Sequence, residues 1–396
     1  MNGDVQQRPP LTGVRVLDFT HVIAGPYCTM MLADMGADVV KVERPGIGDD
    51  LRHIGRYPGR EEHEDYFYTV NRRKRSVTLD LTMPDDLEVA YKLTEKADVA
   101  VQNFGPRTAQ KLGIGAEAMR ARNPRLVYCA LSGFGQWGPL RDRLAMDPII
   151  QAHSGIMSVT GEPEGEPTAI GAPVGDVIAG MFAAYSIVTS LMESRRTGIG
   201  ATLDISMLEA MIAVLGPRMG ETLQGGRQPE RVGNENPMRV PAGMFQAADG
   251  KYVSIMSHDQ GQWPRLCRAL EHTEWIDDPR YSMLSKRVAN RKELHDLVAA
   301  AIKRRPSMEW DARFAAERVP FAPVNDYRDA LTNPHIAERG LVVEVEHPKS
   351  GPIKLVGPPW KSSIPQPPLK PPPILGEDRA SVLRDWLGVD AKRVPA

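Results

Sequence analysis

The chain of 396 residues is short of several things at once. It holds three cysteines, Cys28, Cys129 and Cys267, far apart and without metal-ligand or disulfide spacing, so they read as buried small hydrophobes with no chemistry of their own. An excess of charge of either sign is also lacking. Lysine and arginine number 49 against 50 acidic residues, a formal net charge of −1, which argues against a general nucleic-acid or membrane-surface binder and leaves any anionic ligand to a local cluster. The first ten residues have no apolar signal-peptide core, and no apolar run approaches the roughly 18 residues of a bilayer span, so a cytoplasmic protein is expected. Several enzyme signatures are missing as well. The first strand–helix turn reads H-V-I-A-G-P and not G-x-G-x-x-G, which disfavours a nicotinamide or flavin role. Without a Walker A sequence, H-E-x-x-H or G-x-S-x-G, phosphoryl transfer, zincin and serine-hydrolase chemistry lack their central residues, and no metal site is expected.

What is present is a repeating strand–helix rhythm. Strands are expected at 14–19, 38–43, 76–81, 98–103, 126–132 and 202–206, with helices at 24–36, 85–96, 116–122, 177–196 and 207–215 between and after them. Alternation of this kind predicts an α/β fold, a doubly wound parallel sheet with helices on both faces. The texture changes at 220–242, rich in Gly, Pro, Arg and Asn, which reads as a linker. Beyond it, a hairpin turning at Asp249-Gly250 and helices at 260–270, 286–303 and 308–317 predict a smaller α+β domain. A second hairpin over 340–356, a proline-laden strap over 357–373 and a helix at 377–387 complete the chain. The expected division is 1–220 for the large domain, 221–330 for the small one and 331–396 for a return segment.

One carboxylate stands out. Gly171-Ala172-Pro173-Val174-Gly175-Asp176 leads into a segment apolar nearly all round, hence expected to be a buried helix with Asp176 at or near its N-cap. There it would accept backbone N–H bonds, face the positive end of the helix dipole and stay ionised. Plain capping is the competing reading, since Asp is among the commonest N-cap residues. Basic residues form the second clue. Arg44, the run Asn71-Arg72-Arg73-Lys74-Arg75, Asn103 and Lys111 lie mostly in loops at strand ends, where an open parallel sheet gathers ligands, so they could converge on phosphates; solvated loop charge is the alternative.

The stretches V-L-D-F-T-H-V-I-A-G-P, G-A-D-V-V-K-V-E-R-P-G-I-G-D, N-R-R-K-R-S-V-T-L-D-L, A-D-V-A-V-Q-N-F-G-P, Y-C-A-L-S-G-F-G-Q-W-G-P and G-D-V-I-A-G closely resemble the class III CoA-transferases, a family that also holds alpha-methylacyl-CoA racemases. The resemblance runs from about residue 11 to about 385. It implies that Asp176, the aspartate of G-D-x-x-x-G, attacks an acyl-CoA thioester and that CoA passes to the acceptor acid through aspartyl anhydride and aspartyl-CoA thioester intermediates. It further implies that Arg44, Asn71, Arg72, Lys74, Arg75, Asn103, Phe104, Gly105 and Lys111 bind CoA, with Val22, Ile23 and Ala24 facing the thioester. No tightly bound cofactor is implied; CoA, acyl-CoA and a small carboxylic acid are the substrates, with succinyl-CoA as a donor such members often use. Two chains threaded as an interlocked-ring homodimer are implied too. Formyl-CoA transferases that use oxalate place glutamine where Ile23 stands, and carry a small-domain glycine loop not found in Gly233-Asn234-Glu235-Asn236-Pro237. The racemases place a histidine before the aspartate where this chain has Met146-Asp147, and methionine cannot move a proton. An acyl-CoA racemase or isomerase is the alternative activity, with His153, read as a structural or loop histidine, kept in view.

Overall fold

Apolar residues alternate in destination along each early strand, and that alternation builds the larger unit. Val16, Val39, Val99, Val101, Val127, Cys129 and Leu131 enter one core. Their neighbours Leu17, Val40, Ala100, Tyr128 and Ala130 enter another on the opposite face. Strands buried on both faces require helices on both faces, as a parallel sheet supplies. In the computed structural model, which describes residues 7–55, 58–60, 63–236, 238–257 and 259–389, the strands are β1 (Arg15–Asp18), β2 (Asp38–Glu43), β3 (Arg75–Thr78), β4 (Val99–Gln102), β5 (Val127–Ser132) and β6 (Thr202–Ser206). They form one parallel sheet in the order β3-β2-β1-β4-β5-β6. Residues 1–6 of the N-terminal stretch read for a signal peptide, Pro237 of the small-domain loop and residues 390–396 of the return segment lie outside the described residues.

Helices Ala24–Asp34, Val174–Thr197 and Met207–Ala213 cover the first face. Residues of helices Pro84–Thr94, Ala116–Arg122 and Arg379–Leu387 cover the second, so the end of the chain returns to the same unit. Contacts divide the chain into two units, residues 1–156, 169–219 and 335–396 in one, and 157–168 with 220–334 in the other. The second unit has a three-stranded antiparallel sheet of β7 (Ala242–Gln246), β8 (Tyr252–Met256) and β9 (Phe321–Pro323), with Trp263, Trp310 and Phe314 in its core. The helix expected over 286–303 is two, Leu284–Ala289 and Arg291–Ile302, interrupted at Asn290.

Two expectations about the long helix Val174–Thr197 are corrected. It is not buried all round: Ala179, Ala183, Ile187 and Leu191 face the core, but Met181, Phe182, Tyr185 and Met192 are exposed. Composition registers its apolarity and not its two sides. At 24 residues it is also long and apolar enough, by length and composition, to cross a bilayer, so the statement that no run approaches that length does not hold. Its inward face is fully used in packing against the sheet and helix Ala24–Asp34. There Gly180 is needed, since a Cβ would sit 2.7 Å from the carbonyl oxygen of Ala24.

A hairpin of β10 (Val342–His347) and β11 (Gly351–Val356) packs Ile353 and Leu355 on Leu51, Phe67 and Val70. The strap then runs along β3, at the edge of the sheet. Arg73 N–H donates to Lys370 O (3.3 Å), Gly376 N–H to Ser76 Oγ (2.8 Å) and Asp378 N–H to Ser76 O (3.0 Å), while Asp378 Oδ2 accepts from Ser76 N–H (2.9 Å). The Arg52 guanidinium, paired with Glu43 and Glu64, donates to Pro373 O (3.2 Å).

Candidate active site

In a sheet of this strand order the chain reverses its winding between β1 and β4, and the loops leaving those two strands bound a crevice at their carboxyl ends. Those loops hold His21 to Ala24 and Asn103 to Gly105. Asn103 ties them together: its Oδ1 accepts from His21 N–H (2.9 Å) and its Nδ2 donates to His21 O (2.8 Å), while the His21 and Phe104 rings meet edge to face at 4.8 Å. Val22 is held at φ 66°, a left-handed conformation unfavourable for a β-branched residue, and Asp49 Oδ1 accepts its N–H at 3.1 Å. Val22 and Ile23 pack partly onto the cluster of Leu51 and Phe67.

Beneath this loop lies a buried ionic cluster. Register explains its composition: Leu17 pairs with Val40 and Val40 with Arg75, so β3 begins level with the end of β1 and Lys74 reaches Asp18. Lys74 Nζ is 3.0 Å from Asp18 Oδ2 and also donates to Pro26 O and Asn71 Oδ1. Lys41 Nζ is 2.9 Å from Asp49 Oδ2 and donates to Thr20 O (2.7 Å). Burial pushes the Asp18 carboxyl up, but Lys74, Lys41 and the hydroxyls of Thr20 and Thr29 more than offset it and leave Asp18 below its ordinary value. Asp49 is lowered likewise, chiefly by Lys41 against burial. Lys74, where burial outweighs the pull of Asp18, is lowered to about 8.

The structure therefore divides the basic residues singled out in the sequence. Arg44, exposed and paired with Asp50, and Asn103, Phe104 and Gly105 stand at the carboxyl ends of β2 and β4. Lys111 is exposed in the last turn of helix Pro106–Lys111. Asn71 and Lys74 are buried under the loop and support it from inside. Arg72 and Arg75 do not join a convergence on the crevice: Arg72 forks onto Asp34, the last residue of its helix, and Arg75 onto Asp38, the first residue of β2, both at the opposite edge of the sheet. Their charges are spent on ion pairs whose carboxylates lie 38 and 37 positions away, beyond the reach of any local sequence pattern.

Asp176 is at the third position of the long helix, and it does not cap it. The N-cap is Pro173, with no side-chain acceptor. The N–H groups of Gly175 and Asp176 are taken instead by Asp147 Oδ1, at 2.6 and 3.3 Å. Asp147 opens helix Asp147–Ser154, and its Oδ2 accepts from Gln151 Nε2 at 2.6 Å. Both glycines of G-D-V-I-A-G thus have a use. A Cβ on Gly175 would lie 2.9 Å from Asp147 Oδ1, and Gly180 lets the long helix touch Ala24. Asp176 lies about 6 Å along the helix axis from that contact with the β1 loop. The expectation that Asp176 accepts backbone N–H bonds and stays fully ionised is corrected. Burial first, and then the Asp147 charge, push its carboxyl up to about 7. Asp147 and Gln151 were not legible as partners, being side chains reaching a backbone 28 and 19 positions away. His153 is exposed and lies edge-on to Phe134. A concavity lined by Phe134, Trp137, Pro139, Leu140 and Asp204 opens beside β5 and β6, and Asp176 is not among its lining residues.

Comparison with known proteins agrees with this arrangement over nearly the whole chain. Residues 11–379 match the description of CoA-transferase family III. The chain is 35% identical to succinyl-CoA:glutarate CoA-transferase of Mus musculus, covering 98% of this chain and 88% of that one. It is 36% identical to succinate–glutarate CoA-transferase of Agrobacterium fabrum, covering 98% of each. A crystal structure of a CAIB/BAIF family protein from Brucella suis superposes with a TM-score of 0.87 at 33% identity, over 96% of this chain and 100% of that one.

Proposed function

The chain belongs to CoA-transferase family III, and from that premise we propose that Asp176 is the residue on which CoA is carried from an acyl-CoA donor to a carboxylic acid acceptor. The overall activity is that of an acyl-CoA:carboxylate CoA-transferase. Exchange between a thioester and an acid needs a carboxylate that can itself hold the activated bond. In the proposed sequence an Asp176 oxygen attacks the thioester carbonyl, the C–S bond breaks, and CoA leaves as the thiolate with a mixed anhydride behind it. The thiolate attacks the aspartyl carbonyl, freeing the donor acid and leaving an aspartyl-CoA thioester. The acceptor carboxylate then attacks that thioester, giving a second anhydride, and the thiolate takes its acyl group, which regenerates Asp176.

The observation that carries this reading is the state of the Asp176 carboxylate. It is partly buried at a helix start, yet among the described residues nothing hydrogen-bonds to it, which is not how a capping residue is used. Val22, Ile23, Ala24, Arg44, Asn103, Phe104, Gly105 and Lys111 are the proposed CoA contacts, with Asn71 and Lys74 acting through the loop they support. The relative named for succinyl-CoA and glutarate supports succinyl-CoA as the donor, and with the one named for succinate and glutarate it supports a small dicarboxylate as the acceptor. The same reading takes the protein as a cytoplasmic homodimer, and the exposed Met181, Phe182, Tyr185 and Met192 of the long helix are the apolar face a second copy would cover. Met146, at the N-cap of helix Asp147–Ser154, gives no support to racemisation.

The test is Asp176→Asn. The variant should fold and bind CoA while transfer from succinyl-CoA to glutarate falls by roughly 10⁴-fold or more, the scale for removing a covalent nucleophile. Hydroxylamine should trap an aspartyl species in the wild type alone, and near wild-type turnover by the variant would overturn the reading.

A further inference from the structure

The first four N–H groups of any helix need acceptors from outside the helix, and a carboxylate at its third position is well placed to provide one. In the long helix none of those donors is free. Val174 N–H goes to Ala172 O (2.7 Å) and Gly175 and Asp176 N–H go to Asp147 Oδ1 (2.6 and 3.3 Å), while Val177 N–H, the next along, makes the first intrahelical bond to Pro173 O (3.1 Å). The fourth donor is normally the N–H of the N-cap residue, to which a third-position carboxylate reaches back. Here that residue is Pro173, which has no N–H. Asp147 is itself held in place. Its other oxygen accepts from Gln151, only 1% exposed, whose Oε1 accepts from Ile170 N–H (2.8 Å), so one glutamine fixes both the acceptor and the loop entering the helix.

We propose that Asp147, braced by Gln151 and complemented by Pro173, is a positioning residue that strips the start of the long helix of free N–H donors and so leaves the Asp176 carboxylate unbonded for attack. The inference rests on the reading of Asp176 as nucleophile. Hydrogen bonds to a carboxylate stabilise its charge and lower its basicity, so a conventional cap would make Asp176 a better anion and a poorer nucleophile. A second carboxylate taking over the cap avoids this without leaving backbone donors orphaned.

Three variants separate this from a merely structural role, read as kcat and KM for succinyl-CoA together with the rate of hydroxylamine trapping. In Asp147→Ala the freed N–H groups turn to Asp176, and kcat and trapping should fall roughly ten- to a hundredfold with KM little changed. In Asp147→Asn the amide oxygen can still accept both N–H bonds but its Nδ2 would face the Gln151 Nε2 donor, so Gln151→Glu is made with it to keep the brace, and kcat of this pair should return to within a few-fold of wild type. Pro173→Ala, at an exposed position where folding is not at stake, restores the missing N–H and should slow kcat in the same direction. Wild-type kcat in both Asp147→Ala and Pro173→Ala would overturn the proposal, as would an Asp147→Asn, Gln151→Glu pair as slow as Asp147→Ala. Should Asp147→Ala fail to fold, Pro173→Ala decides alone. Asp176→Asn run in parallel keeps the two ideas apart: if it retains transfer, the nucleophile assignment fails; if it is dead while the other variants are fast, only the positioning role fails.

Discussion

Two groups of buried charge in the parallel-sheet unit are built on opposite rules. Under the β1 loop, Asp18, Lys74, Lys41 and Asp49 alternate in sign, and both carboxyls are held below their ordinary values. At the start of the long helix, Asp147 and Asp176 share a sign, neither forms an ion pair among the described residues, and Asp176 is raised to about 7. Compensated charge fixes a shape: it holds Thr20 to Val22, including one residue in a strained conformation, against the crevice. Uncompensated charge keeps basicity, because no cation lowers it, and that is what the proposed role of Asp176 requires.

The contrast can be broken hardest at Asp18. Asp18→Asn leaves Lys74 buried without its anion, and the loss of stability in urea unfolding should be about 3–5 kcal/mol; less than about 1 kcal/mol would mean that the cluster is not compensating. A smaller effect is expected at Asp176, with a sign set by linkage. Its folded value near 7 lies above the unfolded value near 3.8, so between those pH values the folded chain keeps a proton the unfolded chain has lost. The stability this adds is fully present below about pH 4 and is gone above about pH 7. Asp176→Asn should therefore match wild type near pH 4 and exceed it by about 1 kcal/mol at pH 8, the figure discounted for partial exposure. Equal stability at both pH values would remove the uncompensated charge from the comparison. Wild-type turnover should rise with pH through about 7 for the same reason. The smallest effect is at the surface, where Arg44 and Asp50 are 60% and 58% exposed. Arg44→Ala should change stability by less than about 0.5 kcal/mol while raising KM for acyl-CoA several-fold, and an unchanged KM would count against a CoA contact there.

The parallel sheet was legible because β1, β2, β4 and β5, buried on both faces, are short apolar-rich runs with turn residues between them, while β6, Thr-Leu-Asp-Ile-Ser, shows the alternation of a half-exposed strand. Helix Asp65–Val70 and strand β9 were not, being six and three residues long with no periodicity to detect. Asp176 was legible because glycine and proline precede it and a long apolar segment follows. Its environment was not: Asp147 supplies the cap from another helix, and Pro173, which only leads into the apolar segment in the sequence, stands at the N-cap without an N–H. Arg72 and Arg75 show the same limit from the other side. A run of basic residues announces charge, but whether it meets a ligand or Asp34 and Asp38 depends on strand order.

The strap along β3 bears on the making of the protein as well as its shape. Ser76, whose backbone it closes, stands 302 positions before Asp378. At a ribosome adding about 5–20 residues per second, the sheet edge waits roughly 15–60 s for its covering segment. Throughout that interval β3 is the kind of open edge to which a neighbouring nascent chain can add. The last stretch of the message thus sets how long each copy, while still being translated, must be kept away from the others on a crowded polysome.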